Sequence, residues 1–147
     1  MIITDESLLR RDCEPVLPEE VDKLRSELEK GLDYSASIGR PGIGLSCPQI
    51  GILKKMAIVR IANPLGRSYN VDLVNPKILE FHNKILFKGE GCLSFPDLYV
   101  DVPRYEEIVV KTDIFPYKFV ATGLLSVCIQ HEIDHLNGIL LTDNHES

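Results

Sequence analysis

The sequence predicts an α+β protein in which antiparallel β-sheets pack around a central buried helix, with a second helix near the N-terminus. Three observations carry this. Residues 123–137 are apolar over most of a helical circumference, which marks a helix surrounded by other elements. Residues 54–119 break into short β-branched runs parted by turn residues, with no helix-length segment between them. Residues 18–32 carry one apolar stripe at helical spacing.

In the N-terminal helix, Val21, Leu24, Leu28 and Leu32 recur at spacings of 3, 4 and 4, and Pro18 suits a first turn where no backbone N–H is needed. Its stripe faces the core, so its role is scaffold. Ser37-Ile38-Gly39-Arg40-Pro41-Gly42-Ile43-Gly44 then reads as a glycine-rich loop. Strands are expected over 56–61, 71–74 and 108–110, with Asn63-Pro64-Leu65-Gly66 and Asn75-Pro76 as turns. Without helical crossovers these strands pair antiparallel.

The central helix is expected over 123–137, with Thr122 as N-cap and Gly138 as its stop. At about 100° per residue, Leu124, Cys128, His131 and His135 share one face, with Val127 at its edge. Leu125, Ile129, Ile133 and Leu136 cover another face, and only Ser126, Gln130 and Asp134 form a polar sector.

The chain has 147 residues, expected to form a single domain, 1–147, that buries about two-thirds of its unfolded surface without disulfides. A net charge of −6, with basic residues scattered among acids, argues against nucleic-acid binding. The opening Met1-Ile2-Ile3-Thr4-Asp5-Glu6 places acids where a signal peptide needs basic and apolar residues, and no run reaches the roughly 20 apolar residues of a membrane span. The cytoplasm or a comparable reducing compartment is therefore expected, without membrane partners. There Cys13, Cys47, Cys92 and Cys128, lacking any CxxC pair, are expected as free thiols or metal ligands.

Two histidines at i and i+4 of a helix lie about 6 Å apart at Cβ, so both imidazoles can reach one ion. His131 and His135 have this spacing, and Glu132 sits where HExxH hydrolases keep a general base. A catalytic centre needs a third protein ligand and an open position. Downstream the histidines are limited to His145 and the glutamates to Glu146, which leaves neither a metzincin-like nor a thermolysin-like third ligand, so the ligand is sought upstream. Cys92 in "EGCLS" is the best candidate, against the bland alternative of a small buried hydrophobe.

"GIGLSCPQ" (42–49), "EGCLS" (90–94) and "QHEIDHLNG" (130–138) resemble, in order, the three signature motifs of the peptide deformylases, and "IITDESLLRRDCEPV" resembles that family's N-terminal segment. The resemblance spans nearly the whole chain. It implies a hydrolase that removes the formyl group from N-terminal formyl-methionine, with N-formyl-methionyl peptides and nascent chains as partners near the ribosome. It implies a metal held by Cys92, His131 and His135, Glu132 as general base on the metal's water, and Gln49 with the backbone N–H of Leu93 as oxyanion donors. Ile43, Val127 and Cys128 would line the methionine pocket, and Gly44 and Gly91 would let a strand-like peptide come close to the backbone. Residue chemistry alone points to zinc. The resemblance implies Fe²⁺ in the cell, with Zn²⁺ or Ni²⁺ in purified protein.

Two departures from the family pattern stand out. "GLSC" replaces the usual "GLAA", which puts Ser46 and Cys47 beside Gln49 and adds a thiol expected near the metal. Many bacterial members also continue past "HLNG" into a C-terminal helix, whereas this sequence resembles the short forms found among phage-encoded members. Its setting would then be a bacterial or phage-infected cytosol. Arg104 and Asp134 are a further candidate ion pair.

Overall fold

The computed structural model describes residues 2–62 and 68–144. A short helix α1 (Glu6–Leu9) and a 3₁₀ turn (Pro18–Glu20) lead into α2 (Val21–Ser37). Helix α2 runs past the expected 18–32, and Ser37 ends it rather than opening the loop. The reason is its stripe: Val21, Leu24, Leu28, Gly31 and Ser35 are buried, so two small residues prolong the core face where no large apolar residue signals it. A Cβ on Gly31 would come within 2.5 Å of Leu45 Cδ2, so this glycine lets the helix lie close on the sheet beneath.

That sheet contains β1 (Gly44–Ser46), β2 (Met56–Ala62) and β3 (Ser68–Val74), all antiparallel. The expected turn at Asn63-Pro64-Leu65-Gly66 lies outside the described residues. At Asn75 the chain takes a positive φ of 48°, and the Asn75 side chain bonds both N–H and C=O of Val16. The second sheet contains β4 (Lys77–Cys92), β5 (Phe95–Lys111) and β6 (Lys118–Thr122), again antiparallel. Here the 108–110 run proves to be the end of a 17-residue strand paired with a 16-residue one. The register of this hairpin shifts between Ile78 and Glu80, between Phe87 and Glu90, and between Gly91 and Cys92. Each bulge inverts the inside–outside alternation, so no period of two survives along β4.

Helix α3 (Gly123–Leu136) lies between the sheets. Ile129, Ile133 and Leu136 pack with Ala57, Val59 and Leu73 of the first sheet and Ile108, Val110 and Ala121 of the second. Truncating a fully buried side chain such as Ile129 to alanine would cost roughly 2–5 kcal/mol. The helix's polar sector is not a solvent face. Ser126 Oγ donates to Tyr105 C=O at 2.8 Å, and Gln130 both accepts from Tyr105 N–H and donates to its C=O, which staples α3 to β5. Thr122 occupies the N-cap position in extended conformation but makes no side-chain capping bond. Gly138 ends the helix with φ +73°. A last short helix α4 (Leu141–Asn144) is tied back by Arg10, which grips the Asp143 carboxylate at 2.7 and 2.8 Å. No helix among the described residues is long and apolar enough to cross a membrane.

Candidate active site

Strand β4 ends at Cys92, and the turn to β5 carries Leu93, which packs toward the α2-side core, and Ser94, which meets the Gln49 side chain. Cys92 Sγ lies 3.2 Å from His135 Nε2, and the donor atoms of Cys92, His131 and His135 all fall within 4.8 Å of one another. The three candidate ligands are therefore brought together. His131 and His135 are 8% and 1% exposed, so their ring nitrogens have little access to water.

Electrostatics prepare both rings. His131 Nδ1 donates to Glu90 Oε2 at 2.8 Å. A carboxylate can only accept, so in the neutral ring the Nε2 lone pair is free to face the cluster. Burial works against charge on His131, but Cys92 and Glu90 outweigh it and hold the ring well above its ordinary pKa. A cation competes for that proton, so metal binding would release it. Burial, with His131 and Arg104 nearby, keeps His135 well below its ordinary value, hence neutral and able to donate a lone pair. A thiol and two imidazoles at this spacing suit a divalent transition metal and leave a position for an outside ligand.

Glu90 is the residue the sequence reading missed. Burial opposes its charge, but Arg104 and His131 draw its pKa down to about 2. Arg104 Nε donates to Glu90 Oε1 at 2.9 Å, and its Nη1 donates to Asp134 Oδ2 at 2.6 Å, so the suspected Arg104–Asp134 pair forms within a larger network. The available signal was position: Glu90 precedes a candidate ligand by two residues in a strand, nominally on the same face.

Glu132 is 4% exposed, and burial raises its carboxyl to about 7. Among the described residues, its Oε1 and His135 Nδ1 are the buried side-chain oxygen and nitrogen atoms with no hydrogen-bond partner. On the other side, a Cβ on Gly44 would fall 2.5 Å from Glu132 Oε2, so the bare backbone of β1 walls the carboxylate in. Gln49, buried in a 3₁₀ turn (Cys47–Ile50), directs Nε2 to Ser94 Oγ at 3.1 Å and Cys92 Sγ at 3.5 Å.

A cleft of about 680 Å³ gathers Gln49, Cys92, Leu93, His131 and Glu132 with all five expected substrate contacts, Ile43, Gly44, Gly91, Val127 and Cys128. Phe87, Phe95, Leu98, Tyr99 and the half-exposed Leu124 extend its apolar lining, and Arg40 joins its rim, donating to Leu93 C=O at 3.0 Å. Gly91 has a further reason to be glycine, since a Cβ there would sit 2.8 Å from the Tyr99 ring. Burial pushes the Cys128 thiol up to about 12, so it lines the cleft as a neutral group. Another hollow, of about 700 Å³, opens between Phe81, Tyr105 and Asn137 but holds none of the donor cluster, so chemistry rather than size selects the site.

One expectation is overturned. Cys47 is fully buried among Leu28, Leu45 and Met56 on the α2 side, so it adds no thiol to the cleft. Burial in that cluster lifts the pKa of the Cys47 thiol to about 12.

The sequence model of the family described as polypeptide deformylase matches residues 1–147. A peptide deformylase of Hydrogenovibrio crunogenus is 37% identical over 149 residues, covering 98% of this chain and 83% of that protein. A probable peptide deformylase from Synechococcus phage S-SSM7 superposes with a TM-score of 0.84 at 36% identity, covering 98% of each chain. The actinonin complex of a Synechococcus elongatus peptide deformylase superposes with a TM-score of 0.82 at 35% identity, covering 100% of this chain and 78% of that one.

Proposed function

Since the chain belongs to the polypeptide deformylase family, enzymes that hydrolyse the formyl group from N-terminal methionine with a catalytic metal, we propose how its own residues perform that reaction. The metal ligands are Cys92, His131 and His135, and the native ion is Fe²⁺, with Zn²⁺ or Ni²⁺ able to replace it in purified protein. The bound cation supplies a Lewis acid that makes water nucleophilic near neutral pH.

Glu132 accepts the proton of the attacking water and passes it to the departing amine, so that formate and a free N-terminus result. A pKa near 7, lowered somewhat by the cation's charge, leaves the carboxylate ready to accept at neutral pH. Gln49 Nε2 and Leu93 N–H donate to the formyl oxygen as it gathers negative charge. Ile43, Val127 and Cys128 take the methionine side chain, while Gly44 and Gly91 flank the extended peptide. Residues 1–147 work as one catalytic domain on formylated nascent chains in the cytoplasm, near the ribosome.

The observation that carries this reading is the Glu132 carboxylate, buried, with an unpartnered oxygen, in the same cleft as Cys92 and His131 of the candidate ligand cluster. Glu132→Gln keeps shape but cannot accept a proton. It is expected to bind metal and formyl-Met peptide like the wild type while kcat falls about 10²–10⁴-fold or more. Turnover near the wild-type rate with metal in place would remove Glu132 from the role of base.

A further inference from the structure

We propose that Ser46, where the family's first motif usually has alanine, is a positioning residue that fixes and polarises the side-chain amide of Gln49. This rests on the reading of Gln49 as a donor to the formyl oxygen. Ser46 is fully buried at the end of β1. Its backbone N–H donates to Gln49 Oε1 at 3.0 Å, and its hydroxyl donates to the same oxygen at 2.9 Å. A backbone N–H can only donate, so the atom facing it is the amide oxygen, and Nε2 is directed toward Cys92 and Ser94.

An alanine would supply the backbone N–H alone. The hydroxyl adds a second anchor, which restrains the amide from swinging about its last torsion. It also draws electron density toward Oε1, and in a chain of hydrogen bonds this strengthens donation from Nε2–H at the far end of the amide. Both effects grow in value as charge develops on the substrate oxygen, so the hydroxyl should act on kcat rather than KM.

A double-mutant cycle tests this with Ser46→Ala, Gln49→Leu and the double variant of the full chain. Formate release from formyl-Met-Ala-Ser is measured alongside metal content and melting temperature. Ser46→Ala is expected to lower kcat about 3- to 10-fold, the range set by one net hydrogen bond, with KM and metal content unchanged. Gln49→Leu is expected to lower kcat about 10²–10³-fold. In the Gln49→Leu background, Ser46→Ala should have no further effect on kcat. The proposal is overturned if Ser46→Ala keeps wild-type kcat, or if it costs the same factor in both backgrounds, since the hydroxyl would then not act through Gln49. If Gln49→Leu itself retained full kcat, the oxyanion role of Gln49 would fall, and the proposal with it.

Discussion

Gly44 shows how little room surrounds the Glu132 carboxylate. Its missing side chain is filled by Glu132 Oε2, at 2.5 Å from where a Cβ would stand. Gly44→Ala should therefore push the carboxylate aside without unfolding β1, and a shift of about 1 Å can cost about 10²-fold in rate. The expected outcome is normal metal content with kcat reduced on that order; unchanged kcat would mean that Glu132 is not held against this backbone. Cys92→Ala leaves two imidazoles as an incomplete donor set, so most bound metal should be lost, as elemental analysis of equally pure samples would report. Full metal occupancy in that variant would exclude Cys92 as a ligand. At this scale the sequence was most legible where residue type and spacing were both distinctive, as in His131, Glu132 and His135. Glu90 escaped because an acidic residue in a loop-like, glycine-rich run looks solvated, and only the fold reveals Arg104 and His131 against it.

At the scale of elements, Glu90 links three of them: β4, through Arg104 on β5, to Asp134 and His131 on α3. Its folded pKa of about 2 lies below its ordinary 4.5, so it adds stability that is fully present above about pH 4.5. That stability is lost as pH falls toward 2. Denaturant titrations at pH 7 and pH 3 should show a loss that Glu90→Gln largely abolishes, because the variant is already destabilised at pH 7. The same loss in both proteins would place the acid sensitivity elsewhere. Helix α3 was readable because its apolar residues keep a helical period and a glycine closes it. Strands β4 and β5 were not, because three register shifts break the period of two and most of β4 is exposed, so its residues carry little burial signal.

For the molecule as a whole, the arrangement of layers followed from the sequence because it depends on coarse features. One helix was apolar nearly all round, and the β-rich stretch contained no crossovers. The site's assembly depended on contacts across long chain separations. Cys92 meets a histidine 43 residues away, and Gln49 reaches back to the same cysteine across 43 more. No local pattern encodes such meetings, and motif resemblance was needed to collect them. Their joint consequence is a metal-dependent hydrolase that acts on a formyl group at an N-terminal methionine. The most direct test is anaerobic release of formate from formyl-Met-Ala-Ser by the purified ferrous protein, with metal measured in the same sample. Acetyl-Met-Ala-Ser and unblocked Met-Ala-Ser serve as parallel substrates. Formate is expected from the formylated peptide in proportion to bound metal, with no comparable cleavage of the other two. Formate release indifferent to metal content, or equal cleavage of the acetylated peptide, would contradict this expectation.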